Sequence, residues 1–162
     1  MLVLKRLLYQ LFQRLVSIFF NVLNLLLMGN LPPFGCVCVI VIHQGKILVV
    51  ERSEGGFVLP GGFMRWREHP LETARRECTE ETGIQVQMHG LIDCSPMPSN
   101  SFSRMSTLTM IYEAEMIGGE LKGSIEGKPC WQSVEELRKH LQQRQMTILD
   151  HYLSHHEQHK PL

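Results

Sequence analysis

Polar residues in the first 28 positions fall on one narrow stripe. Arg6, Gln10, Gln13, Arg14, Ser17, Asn21 and Asn24 recur at helical spacings, and the rest of the segment except Lys5 is apolar, so it reads as an amphipathic α-helix. Gly29-Asn30 and Pro32-Pro33 end it. The pattern then changes period. Residues 34–43 (FGCVCVIVIH) are apolar and β-branched, a strand, and with a turn at 43–46 and a second run at 46–52 they predict a hairpin. Residues 53–56 read as a loop and 57–59 as a short strand leading into a glycine loop. Leu71, Ala74 and Cys78 then return to helical spacing and can face a core. Pro70 suits the first turn of that helix and Gly83 its left-handed end.

Downstream, 84–92 alternates as a strand, 93–103 is a Ser- and Pro-rich loop, and 105–116 is a long strand. Gly118-Gly119 marks a turn, a short element begins at 120–121, and 124–131 reads as loop. Ser133 and Glu136 form a capping box for a helix through about Leu141, and 147–156 reads as a last helix. Strands mixed with helices in this way predict an α/β domain, a mixed sheet covered by helices on both faces. The expected division is an N-terminal helix over 1–30 and one folded domain over 34–158.

Several placements compete for the N-terminal helix. A membrane span needs about 20 apolar residues, and the uncharged stretch begins only at Leu15 and contains Asn21 and Asn24. A signal peptide needs a small-residue cleavage site, and no A-x-A-like site follows Met28. A helix lying in a membrane interface fits the wide apolar face with Lys5, Arg6 and Arg14 beside it. Packing on protein, a homodimer contact included, fits as well. Both remain open for residues 1–28, because the apolar face is too wide to be left in water.

Composition narrows the classes. At 162 residues the chain suits one domain with a real core. A formal net charge of zero argues against a polymeric nucleic acid partner. Five cysteines, an odd number with no C-x-x-C pair, fit neither a disulfide nor a zinc framework. A reducing, cytoplasmic compartment is the expectation. Cys36 and Cys38 alternate and so share one face of their strand.

The chemistry concentrates in residues 61–84, GGFMRWREHPLETARRECTEETGI. Glu77, Glu80 and Glu81 stand at i, i+3 and i+4, side by side on a helix face. Such like charges destabilise a helix by about 0.2–0.5 kcal/mol per pair. A hard divalent cation such as Mg²⁺ removes that penalty, and a solvated acidic face is the plainer reading. The stretch resembles the Nudix box, G-x5-E-x7-R-E-U-x-E-E-x-G-U with U a bulky apolar residue. Gly62, Glu68, Arg76, Glu77, Glu80, Glu81, Gly83 and Ile84 match in register, after a lead-in over 57–61. Cys78 at the first U position is a mild departure, and Arg67 stands where a glycine often precedes the first Glu.

The resemblance implies a Nudix-type α/β/α sandwich and a hydrolase cleaving a nucleoside diphosphate linked to another moiety. That class includes nucleoside triphosphates, ADP-ribose and nucleotide sugars, and the cofactor is Mg²⁺ or Mn²⁺. It implies Glu77 and Glu81 as metal ligands, Glu80 ligating or assisting catalysis, and a backbone oxygen from Gly61 or Gly62. Arg76 is expected to pair with Glu68, an intrahelical pair with Glu72 being the plainer alternative. Residues 126–131 resemble the E-G-x-P-x-W segment of a later loop in the family. They nominate Glu126 as ligand or general base, with Glu120 in reserve and a plain turn glutamate as the competing reading. Arg52 is a substrate-binding candidate, and Trp66 either stacks on a base or anchors the loop. Pro96 and Pro98 lean toward the ADP-ribose-cleaving members. His151, His155 and His159 are spaced for a metal on a helix face, though surface histidines of a tail are commoner. The rivals are a Nudix-fold sensor that binds a nucleotide without cleaving it, which the full carboxylate set argues against, and an enzyme using the fold for isomerisation.

Overall fold

The computed structural model describes residues 2–99 and 101–158. A long helix α1 (Leu2–Leu26) precedes a seven-stranded mixed sheet. In chain order the strands are β1 (Phe34–His43), β2 (Lys46–Glu51), β3 (Phe57–Val58), β4 (Gly61–Phe63), β5 (Ile84–Met97), β6 (Thr107–Gly119) and β7 (Lys128–Gln132). Helix α2 (Pro70–Thr82) falls between β4 and β5, and α3 (Val134–His140) and α4 (Gln143–Gln158) close the chain. The strands run in the order β3-β2-β1-β6-β5. β1 and β6 are parallel, and the other pairs are antiparallel.

β1 explains why this sheet must be covered twice. Its residues 36–41 are all buried, a continuous rather than alternating pattern, as a strand with protein on both faces requires. Val37, Val39 and Val41 pack with Ala74 and Cys78 of α2 on one face. Cys38 and Ile40 pack with Leu137 of α3 and with Ile148, Leu149 and Tyr152 of α4 on the other. Full burial of each such Val, Ile or Leu is worth about 1.5–3 kcal/mol over leaving it exposed. The result is the α/β/α sandwich anticipated from the strand and helix pattern.

The sheet parts where the chemistry gathers. β1 pairs with β2 through Ile42↔Ile47 and His43↔Lys46. Its other half pairs with β4 through Cys36↔Phe63, Val37↔Gly62 and Cys38↔Gly61. β2 turns instead to β7, through Ile47↔Gln132 to Glu51↔Lys128. The glycine loop, Arg52 and the segment before β7 therefore meet at the opening between β1 and β2.

Several boundaries differ from the sequence expectation, each for a long-range reason. β5 continues to Met97, across half of the expected loop 93–103, because β6 pairs with it as far as Met97↔Thr107. Pro96 is tolerated there because β5 is an edge strand. β6 ends at Gly119, past the expected stop at 116 and through the expected Gly118-Gly119 turn. Residues 120–121 form no element. Residues 128–131, expected as loop, belong to β7, which exists only because β2 offers it a partner. The glycine loop contributes β4, and α4 starts at Gln143, before the expected 147.

α2 is delimited as the sequence suggests, with one addition. Pro70 occupies the first turn and Gly83 caps the end at φ 77°, its N–H bonded to the Thr79 carbonyl. The N-cap is His69, whose Nδ1 accepts from the Leu71 N–H at 3.2 Å while Glu72 bonds back to the His69 N–H at 3.0 Å. A side chain at Gly83 would strike the Glu120 carbonyl and come within 2.9 Å of Lys122 Cβ. Gly83→Ala is therefore expected to lower stability by about 1–3 kcal/mol; an unchanged thermal midpoint would refute this account of the cap.

Candidate active site

Arg76 is the centre of the site. Its Nε donates to Glu68 Oε1 (2.7 Å) and its Nη2 to Glu68 Oε2 (2.9 Å), a bidentate pair. Nη2 also donates to the Phe63 carbonyl (3.2 Å). Nη1 reaches the next turns, donating to Glu77 Oε1 (2.7 Å) and Glu80 Oε2 (3.2 Å). The guanidinium thus ties the glycine loop to two of the helix carboxylates. These bonds, rather than a pair with Glu72, use its planar fork.

Glu68 is held from other sides too, by the Arg65 N–H (2.9 Å) and the Thr73 hydroxyl (2.8 Å). The Arg76 hydrogen bond, with these two, holds its carboxyl far below the usual carboxylate range. Between Arg65 and Glu68 lies Arg67, at φ 62°. A non-glycine residue pays for that left-handed conformation in steric strain. It explains why glycine suits this position in the family's box.

Glu77 and Glu81 turn inward. Glu81 is 3% exposed. Its Oε2 accepts from the Gly61 N–H at 3.0 Å, but its Oε1 is buried with no hydrogen-bond partner. Arg52 Nη2 stands off at 3.9 Å. Burial, and then the neighbouring Glu126, push Glu81 well above the ordinary carboxyl range. Burial also raises Glu77, against the pull of Arg76. Gly62 makes room beside them, since a Cβ there would fall 2.5 Å from Glu77 Oε1.

Glu126 approaches from the segment before β7. Arg52 Nη1 donates to its Oε2 (2.7 Å) and to its carbonyl (3.1 Å). Burial works to raise this carboxyl, yet Glu81 and Arg52 together keep it below the ordinary value. Gly127 sets the approach, because a Cβ there would strike the Glu51 carbonyl.

Of the residues singled out in the sequence, Arg52, Gly61, Gly62, Glu68, Arg76, Glu77, Glu80, Glu81 and Glu126 come together by these contacts. Glu80 is half exposed and also pairs with Arg65 at 3.0 Å. Trp66 is not brought in: it is 88% exposed, lies outside the cleft lining, and has Arg67 over its ring. Glu120 is not in the cleft lining either. Pro96 and Pro98 flank Met97, whose carbonyl accepts from Arg144 of the cleft wall (3.1 Å). His151 pairs with Asp93 (2.7 Å); the side chains of His155 and His159 lie outside the described residues.

The cleft over these groups measures about 690 Å³, and one wall is α1, through Arg6, Tyr9, Gln10 and Gln13. Arg6 Nη2 donates to the Glu126 carbonyl (3.2 Å), the same oxygen that Arg52 holds. Arg104, Arg144 and Gln145 line the far side. None of these was singled out as a site residue from sequence, although the polar stripe of α1 carried the signal for three of them.

The donor set suits a hard divalent cation. It is all oxygen, partly buried, and includes an acceptor with no donor of its own in Glu81 Oε1. Among the described residues no three acidic, histidine or cysteine side chains already converge on one point, because Arg76 and Arg52 hold Glu77, Glu80 and Glu126 in ion pairs.

A family model described as the NUDIX domain matches residues 32–152. The chain belongs to the NUDIX family. An ADP-ribose pyrophosphatase of Methanocaldococcus jannaschii is 32% identical over 102 residues, 60% of this chain and 60% of that protein. The chain thus matches less than two thirds of that relative's length. Among solved structures, a NUDIX hydrolase from Nitrosomonas europaea aligns with a TM-score of 0.68 at 21% identity, covering 81% of this chain and 76% of that one. A MutT protein from Methanosarcina mazei aligns at 0.65 and 21%, covering 82% and 99%. At these identities the solved structures speak for the NUDIX fold.

Two outcomes test the electrostatics of this NUDIX site. Glu81→Gln replaces a buried carboxyl whose ionisation the fold opposes, so at neutral pH, above the unfolded pKa near 4, the metal-free protein should melt about 2–6 °C higher, and a lower midpoint would refute this. Glu68 contributes stability above its unfolded pKa near 4, and loses it as pH falls toward its depressed folded pKa. Glu68→Gln should therefore lower the midpoint at neutral pH and flatten its decline on acidification; parallel pH curves for the variant and the parent would contradict the pairing.

Proposed function

We propose that this chain is a Mg²⁺- or Mn²⁺-dependent hydrolase of the pyrophosphate bond in a nucleoside diphosphate linked to another moiety. The observation that carries the reading is the unpartnered, buried Glu81 oxygen beside Glu77 and the Gly61–Gly62 backbone. An acidic face made only for solvent has no use for such an atom. Glu77 and Glu81 would hold the cation, with Glu80 assisting and a backbone oxygen of Gly61 or Gly62 completing the set. When bound, the cation neutralises phosphate charge and lowers the pKa of a coordinated water.

The chain's own residues supply the rest. Arg76 keeps Glu77 and Glu80 oriented and the glycine loop in place. Arg52 and Arg6 present guanidinium groups to the anionic phosphates, for which their forked donors are suited. Glu126, kept ionised by its neighbours, is positioned to take a proton from the attacking water, directly or through one more water. The matched relative's name and the Pro96–Pro98 segment tied to Arg144 favour ADP-ribose within the wider class. α1 belongs to this catalytic unit through its polar stripe, and its apolar side is left for a contact outside the domain.

The test is product release from ADP-ribose, nucleoside triphosphates, nucleotide sugars and dinucleoside polyphosphates, with Mg²⁺, Mn²⁺ or EDTA. Turnover of one class is expected, abolished by EDTA. Glu77→Gln and Glu80→Gln should each lower kcat by about 10²-fold or more with the fold intact. Unchanged turnover in both variants would sink the assignment, and tight binding of a nucleotide with no cleavage would transfer it to a sensor.

A further inference from the structure

α1 is amphipathic in the reverse of the usual sense: its polar stripe, not its apolar face, meets the domain. Asn21 donates to the carbonyls of Phe102 (2.9 Å) and Arg104 (2.8 Å). Asn24 Oδ1 accepts from the Leu31 N–H (3.0 Å). Ser17 is buried, and Arg6 reaches Glu126 (3.2 Å) and Glu54 (3.8 Å). Phe20 adds an edge contact to Phe34, 4.7 Å between centroids.

The opposite side is bare. Between Leu4 and Leu26, eleven large apolar side chains besides Tyr9, among them Leu8, Phe12, Leu15 and Phe19, are 42–73% exposed. At about 100° per residue these eleven fall within one arc of roughly 140°. Lys5 and Arg14, both exposed, stand at its two edges. The chain has no acidic residue before Glu51. An apolar arc bordered by basic groups, on a helix that carries no acid of its own, is the pattern of a helix lying in the plane of an anionic bilayer. No helix among the described residues is long and apolar enough to cross a membrane.

We infer that the outer face of α1 docks on an anionic lipid surface, with the helix in the interface plane and the catalytic cleft beneath it. Charge selects lipid over a second copy of this chain. Two such helices packed face to face would bring Lys5 and Arg14 against like charges, with no acid on either helix to meet them. A helix pair would also bury a seam narrower than this arc. This inference stands on α1 alone and does not depend on the substrate.

The test is flotation of the full-length protein with vesicles of phosphatidylcholine alone or mixed with phosphatidylglycerol. Binding is expected to the mixed vesicles, weakening with added salt. Leu8→Glu combined with Leu15→Glu should abolish it while circular dichroism and melting stay unchanged, because both side chains are 57% exposed and neither lines a cleft with the domain. Lys5→Glu with Arg14→Glu should weaken binding to the anionic vesicles by about tenfold or more while sparing the fold. Absence of binding to either vesicle, or equal binding to both, would overturn the inference. So would a vesicle-free dimer that Leu8→Glu with Leu15→Glu converts to monomer, since a second copy would then own the face.

Discussion

The Arg76 guanidinium is the joint on which this site depends. α2 places Glu77, Glu80 and Glu81 within one turn, an arrangement that repels itself. Arg76 offsets that repulsion for Glu77 and Glu80 and at the same time fastens Glu68 and the Phe63 carbonyl. Position of the loop and orientation of the carboxylates therefore share one cause. Glu81 is the exception, held by the Gly61 N–H and left with one oxygen unmatched. Stability is locally forgone there, as is usual where a site awaits a ligand.

Much of this could be read from residues in order, because the information is local. Pro70, Gly83 and the spacing of Leu71, Ala74 and Cys78 delimit α2 within a few positions of one another. The register of Gly62, Glu68, Arg76 and Glu77 is a statement about one loop and one helix. What could not be read depends on partners distant in the chain. β7 and the far half of β5 are strands only because β2 and β6 lie alongside, and their Pro and Ser content reads as loop. His69 as N-cap was hidden because imidazole is not among the favoured capping groups. The exposure of Trp66 was hidden because an aromatic beside a glycine loop suits a binding face and a surface equally.

The N-terminal helix shows the same limit in another form. Its polar stripe was plain, but periodicity says only that two faces differ, not which one meets the domain. Here the contact is made by amides and a guanidinium reaching backbone carbonyls. Polar groups so employed are matched rather than stranded. The same stripe forms one wall of the cleft, so the helix is joined to the carboxylate cluster on one side and to its surroundings on the other.

The distribution of thiols has a practical side. Cys36, Cys38 and Cys78 are buried between the layers, and loss of solvent pushes Cys36 and Cys38 up to about 12 and raises Cys78 as well. Thiolate is the form that reacts with alkylating reagents and oxidants, so at neutral pH these three are chemically silent while the fold holds. Cys130 is partly buried and raised too. Cys94, exposed on β5, is the most accessible sulfur of the five, which makes it the point where a maleimide probe attaches first.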